Sequence, residues 1–449
     1  MAKESIIVGL SRFVNSITYE KLSDAMTGRA KNLILDALGT AILGRDMPCS
    51  RIALELVKGN SGNATVLTHN ITVPTLDAAF ANSVFTATKA LDDFLIAIHP
   101  GQIMVPTAIA VAEQEGSSGA DFVSAMVAGY EVMGRIYLGA PSIIPRFRGV
   151  PVFGPFGAAA TAGKLLNLDE DQLTNALALA ANCASGMQQC WIAGSMEGFF
   201  HGGVAARNGI MAAQLAKAGA IASKETLEGK FGFYEAFAGT TRDVKNILLD
   251  IGKRFLTMEV TYKPYPVCAF QQIPIDLVRR LVEKHHILPH DIGQVVEKVP
   301  ELDTTIPGTD NPGPFDNGDQ TLLSGQFCAA AALLGKPVTS HSFYMSNYND
   351  SEILSLAGKV KVIGEKDREV REITVTLNDG RIFRIEEEKE QGTLTPTDEK
   401  IRTKFNELSI PILGKDRARE VINMVTSLEK ERNIKGLTRL LACPGTEAG

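Results

Sequence analysis

"EITVTLNDGRIFRIEEE", Glu372–Glu388, is the clearest β-hairpin in the chain. Two alternating, β-branched runs meet at Asn378-Asp379-Gly380, residue types that supply the positive φ of a tight turn. "QVVEKVP", 294–300, alternates in the same way. Upstream of about residue 260 the period changes. Lys31–Gly44 carries Leu33, Leu35, Leu38 and Ile42 at helical spacing, and helices are expected at about 74–90, 103–115, 119–138, 155–167, 169–186 and 202–219. "KPYPVCAFQQIPIDLVRRLVEKH", 263–285, is a proline-punctuated lead into a further helix, and 395–408 and 415–431 return to amphipathic helix. The chain therefore reads as mainly α with an α+β second domain: a helical domain from 1–262 plus 394–449, and a smaller α+β domain over 263–393.

Small residues dominate several of the helices, as in "GPFGAAATAGKLL" (154–166), "NALALAANCASGM" (175–187) and "HGGVAARNGIMAAQLAKAG" (201–219). Backbones can approach closely there, as in a tightly packed bundle. Asp169 with Gln172 three residues on has the form of a capping box.

The 449 residues are too many for one simple core. Hydrophobic residues make up 45% and charged residues 21%, the balance of an ordinary globular protein. With a net charge of −6 and no basic cluster, the sequence argues against a nucleic-acid partner, which needs a concentrated cationic face. Cys49, Cys183, Cys190, Cys268, Cys328 and Cys443 form no CxxC, which speaks against a zinc ribbon or disulfide framework and suits a reducing cytosol. The start, "MAKESIIVGLSRFVNS", lacks the apolar core of a signal peptide, and no run is long enough to span a bilayer. A cytoplasmic protein without a membrane partner is expected.

Four polar patches interrupt the apolar pattern. In "LDDFLIAIHPGQIMVPTAIAVAE", 91–113, Asp92 and Asp93 precede His99-Pro100-Gly101. A carboxylate beside a histidine can fix its tautomer for proton transfer. The same residues also make an ordinary loop leading into a capped helix. In "PRFRGVPVFGPFGAAATAG", 145–163, Arg146 and Arg148 stand before a helix start, either as an anion site or as solvated surface. In "GSMEGFFHGGVAARNG", 194–209, His201 leads a helix through two glycines and is as well suited to hydrogen bonding there as to catalysis. In "TYKPYPVCAF", 261–270, Tyr262, Lys263 and Tyr265 lie where the texture changes, and clefts between domains commonly bind small ligands. No Walker loop, GxSxG, HExxH or strand-linked GxGxxG is present, and a metal on Asp92, Asp93 and His99 lacks a dedicated ligand cluster.

Taken in order, "LILDALGTAILG" (33–44), "LDDF…HPGQIMVPTAIAVAE" (91–113), "VAGYEVMGRI" (127–136), "VFGPFGAAATAGKLLNL" (152–168), "HGGVAARNGIMAA" (201–213), "YKPYPVC" (262–268) and "SGQFCAAAALLGK" (324–336) resemble the MmgE/PrpD family. That family includes 2-methylcitrate dehydratases, cis-aconitate decarboxylases and iminodisuccinate epimerases. The resemblance implies a large helical domain with an α+β lid, a cleft active site, no cofactor and a homodimer. Of the family's site it leaves His99, Lys263, Asp93 and His201 as catalytic candidates with Asp92 beside them. The residues themselves add Arg146, Arg148, Tyr262 and Tyr265, with Asp92, as substrate-binding ones. The implied chemistry is proton abstraction alpha to a carboxylate of a small di- or tricarboxylate. A lyase is expected, with an epimerase or a carboxylate-binding homologue without catalysis as alternatives.

The sequence also departs from that pattern. Ala90 stands where the family places an aspartate, and Phe94 where a Thr or Tyr follows the Asp-Asp pair. Arg148 occupies a histidine position, Gly198 a lysine position and Phe327 a tyrosine position. The apolar bridge "FLIAI" replaces polar residues, which implies a substrate with a greasier part.

Overall fold

The computed structural model describes residues 5–388 and 394–442; residue 393 and Cys443, named above, lie outside them. The chain divides into two compact units. The first comprises 1–186, 199–262 and 396–449, and the second 187–198 and 263–395.

The first unit is built of helices. Its centre is Gly101–Glu115, in which every residue from Gly101 to Glu113 is buried. Asp24–Gly44, Thr75–Ala87, Gly119–Leu138 and Gly149–Leu165 surround that helix, and Asp398–Leu413 returns from the end of the chain onto Asp24–Gly44. The small residues of the sequence are the points of closest approach. A Cβ on Gly129 would stand 2.0 Å from Thr161 Oγ1, and one on Gly157 would stand 2.4 Å from Met104 Cε.

Helix boundaries follow local chemistry. Asp169 and Gln172 form the expected capping box, with both bonds in place. That helix stops at Ala181 rather than 186, because residues 182–188 turn through Gly186 at φ +99°. The helix expected from 155 begins at Gly149 instead. Pro151 is tolerated in its first turn, where amide hydrogens have no partner in any case. Pro155 has no N–H for the Pro151 carbonyl, which accepts from Ser185 N at 3.3 Å instead.

The second unit holds a four-stranded sheet in the order Val360–Glu365, Ile292–Pro300, Glu372–Leu377, Ile382–Glu386. The first pair is parallel and the others antiparallel. The hairpin closes at Asn378–Gly380, with Leu377 N donating to Arg381 O at 2.8 Å and Gly380 at φ +89°. Helices Gln272–His285 and Gly325–Leu333 pack on the sheet and on each other. Ile292, Val295, Glu297 and Val299 are the buried residues of strand Ile292–Pro300. Glu297 is a carboxyl in an apolar row, and burial pushes it up to about 8.

Among the described residues no helix is long and apolar enough to cross a membrane. The five described cysteines are thiols.

Candidate active site

Residues 88–100 join helix Thr75–Ala87 to helix Gly101–Glu115. Phe94 exchanges both backbone hydrogen bonds with Thr261 at 2.9 Å, and Leu95 pairs with Ile98 around Ile96-Ala97. Ala90 and Ile96 lie at φ +53° and +55°. The left-handed region is unfavourable for a β-branched residue in particular, so this loop is bent by its surroundings and not by local preference.

The bend brings His99 against Asp92. His99 Nδ1 lies 3.1 Å from Asp92 Oδ2 and 3.2 Å from the Asp93 carbonyl oxygen. Both neighbours only accept hydrogen bonds, so neutral His99 carries its proton on Nδ1 and its lone pair on Nε2. Asp92 is buried while the His99 side chain keeps 18% exposure, the arrangement of a supported base that solvent or substrate can reach.

Asp93 has a different task. Its Oδ1 accepts from Gly101 N at 2.7 Å and its Oδ2 from the Tyr130 hydroxyl at 2.6 Å, so its carboxyl caps the helix start. A Cβ on Gly101 would lie 2.6 Å from Oδ1, which explains the glycine. Burial pushes Asp93 up to about 8, opposed by the Tyr130 hydrogen bond and reinforced by the nearby Asp36 charge. Of the acid pair, Asp92 orients the histidine with its side chain and Asp93 with its carbonyl alone. The capped helix start expected of this stretch is present, and the same stretch sets His99 against Asp92.

Beneath the loop, Lys404 Nζ donates to the Leu91 carbonyl at 2.7 Å and pairs with Asp36 Oδ1 at 2.7 Å. The Lys400 and Lys404 ammonium groups lie 5.9 and 5.6 Å from the centroid of the Tyr262 ring. The other helical patches adjoin the same loop. A Cβ on Gly149 would meet Ile98 Cγ2 at 2.8 Å, and one on Gly202 would meet Gln102 Oε1 at 2.6 Å. Arg148 Nη1 lies 3.4 Å from His201 Nδ1. A guanidinium only donates, so His201 accepts at Nδ1 and its neutral form carries the proton on Nε2. Arg148 also occupies the N-cap position of Gly149–Leu165, beside that helix's unpaired amides. The first unit thus carries the His99–Asp92 pair and the Arg148–His201 pair.

The description "MmgE/PrpD N-terminal domain" matches residues 8–244, and "MmgE/PrpD C-terminal domain" matches residues 265–430. The chain belongs to the MmgE/PrpD family. It is 28% identical to the cis-aconitate decarboxylase of Homo sapiens, covering 99% of this chain and 96% of that protein. It is 27% identical to the enzyme of that name from Mus musculus, over 100% and 95%. With the one from Aspergillus terreus it shares 25%, over 99% and 97%.

The remaining expected site residues of this MmgE/PrpD chain fall elsewhere. Arg146 is exposed in the loop before Gly149–Leu165. Lys263 and Tyr265 belong to the second unit. Lys263 is 2% exposed. The Tyr265 hydroxyl accepts from Arg279 at 3.0 Å, and Gln272 clasps its backbone through both the amide and the carbonyl. Tyr265 therefore helps hold its own unit together. Phe327 is fully buried among Phe315, Phe343 and Tyr344. A Cβ on Gly198 would already lie 3.1 Å from Cys190 Sγ and from the Trp191 ring, so this position has no room for a lysine stem without rearrangement. Among the described residues no three His, Cys, Asp or Glu side chains are grouped to hold a metal ion.

Asp36, Gln102, Tyr130 and Lys404 complete the network and were not singled out from the sequence. Asp36 and Tyr130 did carry a signal, each a polar residue at a buried position of a quoted family motif. Lys404 carried none, since its helix reads as surface.

Proposed function

We propose that this MmgE/PrpD protein is a lyase of the decarboxylase or dehydratase type acting on a small di- or tricarboxylate without a cofactor. The observation that carries the reading is the Asp92–His99 pair, with Nδ1 held by two acceptors. His99 takes the proton alpha to a carboxylate, and Asp92 stabilises the imidazolium that forms. Arg148 balances the charge that develops on the substrate carboxylate, with His201 keeping the guanidinium aimed. In a dehydratase the C–H electron pair becomes the new double bond as the β-hydroxyl takes the proton from the His99 imidazolium and leaves as water. In a decarboxylase no proton is taken first: the C–C bond to the carboxylate breaks, CO2 departs, and the electron pair left on carbon takes a proton from His99 as imidazolium, which solvent then recharges. Relatives named cis-aconitate decarboxylase over nearly the whole chain support the decarboxylase form. The family resemblance adds a homodimer, and the scattered cysteines suit a cytoplasmic setting.

Conversion of cis-aconitate and of 2-methylcitrate, followed by proton NMR, tests the proposal. The native protein should turn over one of them, and His99→Ala should abolish turnover with its melting temperature unchanged. Near-normal turnover by that variant overturns the assignment. A second reading, a carboxylate-binding protein without turnover, draws on Gly198 and Phe327, which lack reactive groups where the family pattern has them. Thermal stabilisation by these acids with no product favours that reading.

A further inference from the structure

Gln102 is the second residue of helix Gly101–Glu115 and is 1% exposed. Its Nε2 donates to Asp92 Oδ2 at 2.7 Å, the same oxygen that faces His99 Nδ1 at 3.1 Å. Its Oε1 is buried and has no hydrogen-bond partner among the described residues. A buried acceptor left unsatisfied is unfavourable, and a methionine or leucine would fill the same volume without it. The amide cannot turn over to relieve this, since Oε1 would then face the Asp92 oxygen. The unpaired Oε1 is therefore the consequence of presenting the N–H to Asp92.

The helix carrying His201 is shaped for the same amide. A Cβ on Gly202 would lie 2.6 Å from Gln102 Oε1 and 3.3 Å from Cδ. Glycine inside a helix is itself unfavourable, so this position also gives up local stability to let the amide lie there.

We propose that Gln102 is a positioning residue: its side-chain N–H fixes the Asp92 carboxylate against His99, and Gly202 provides the space in which that amide sits. The titratable and charged groups of the surrounding network are Asp92 and Asp93 on the loop, Tyr130, Asp36 and Lys404 on three further helices, and the Arg148–His201 pair. Gln102 is the neutral member that joins the His99 loop to the His201 helix. Its catalytic meaning rests on His99 as the proton-transfer group, whereas its structural meaning does not.

The test therefore reads His99 without a substrate, by NMR titration of the full-length protein labelled with 15N-histidine. Gln102→Met keeps the length and apolar volume and removes the donor. Gly202→Ala leaves Gln102 in the sequence but places a methyl where its amide lies. Both variants should retain a cooperative melt and move the His99 titration upward by about half a pH unit or more, because a carboxylate with one donor fewer holds the imidazolium more tightly. In an Asp92→Asn background the same two substitutions should leave the titration unmoved. Where turnover is measurable, kcat should fall with KM nearly constant. An unchanged His99 titration in Gln102→Met and in Gly202→Ala overturns the proposal; if the first variant does not fold, the second decides alone. A shifted titration together with normal turnover by His99→Ala overturns the proton-transfer reading and leaves the positioning of His99 standing.

Discussion

Asp92 and Asp93 are neighbours of one chemical type, and one step along the backbone gives them opposite environments. Asp92 Oδ2 receives Gln102 Nε2 and faces His99, whereas the Asp93 carboxyl is enclosed by Gly101 N and Tyr130. Their isosteric amides should therefore separate. Asp92→Asn removes the acceptor charge that supports an imidazolium and should lower turnover on the order of 10²–10⁴-fold. Asp93→Asn can still accept from Gly101 and donate to Tyr130, and should cost under about tenfold. Stability separates them in pH as well. Asp93 holds its proton in the folded chain up to about 8 but in the unfolded chain releases it near the ordinary carboxylate range. The folded state thus binds the extra proton, so the stability that this group contributes is complete below about pH 4 and declines with rising pH. That contribution is gone above about 8. Melting curves of Asp93→Asn should gain steadily on the native protein from pH 5 to 8 and then run parallel to it. A constant offset across that range would show that Asp93 is ionised in the fold.

At the scale of elements, helix contacts made through bare backbone carry the first unit. Gly129→Ala forces a methyl to 2.0 Å from Thr161 Oγ1 and 2.9 Å from the Gly157 carbonyl, with backbone on one side that cannot step away. A loss of about 1–3 kcal/mol or more in chemical denaturation is expected. Gly28→Ala is the matched control. Nothing lies within 4 Å of its Cβ position, so the same change should be neutral or stabilising by up to about 1 kcal/mol. These contacts also explain what the sequence could reveal. Alanine and glycine runs announce close helices, and Asn378-Asp379-Gly380 announces its turn, because period and turn chemistry are local. The start of Gly149–Leu165 was misplaced because Pro151 and Pro155 read locally as breakers. Only the distant Ser185 amide, which satisfies the Pro151 carbonyl, makes that helix intelligible.

For the molecule as a whole, the decisive contact is among the longest in sequence. Lys404 meets Asp36 and the Leu91 carbonyl from the far end of the chain. Lys404→Met leaves Asp36 buried without its lysine and should destabilise the fold by about 3–5 kcal/mol. Asp36→Leu combined with Lys404→Met removes both charges and should recover much of that loss, as a double-mutant cycle in denaturant would show. Such pairing is invisible to any local pattern, which is why His99 and Asp92 were legible as a candidate pair and their support was not. The separation of 313 residues between Leu91 and Lys404 has a consequence in time. At typical translation rates of about 5–20 residues per second, the loop leaves the ribosome roughly 15–60 s before its lysine does. During that interval Asp36 is without its lysine and the Leu91 carbonyl without its donor. The packing of Asp398–Leu413 on Asp24–Gly44 is therefore among the last contacts of the helical unit to form.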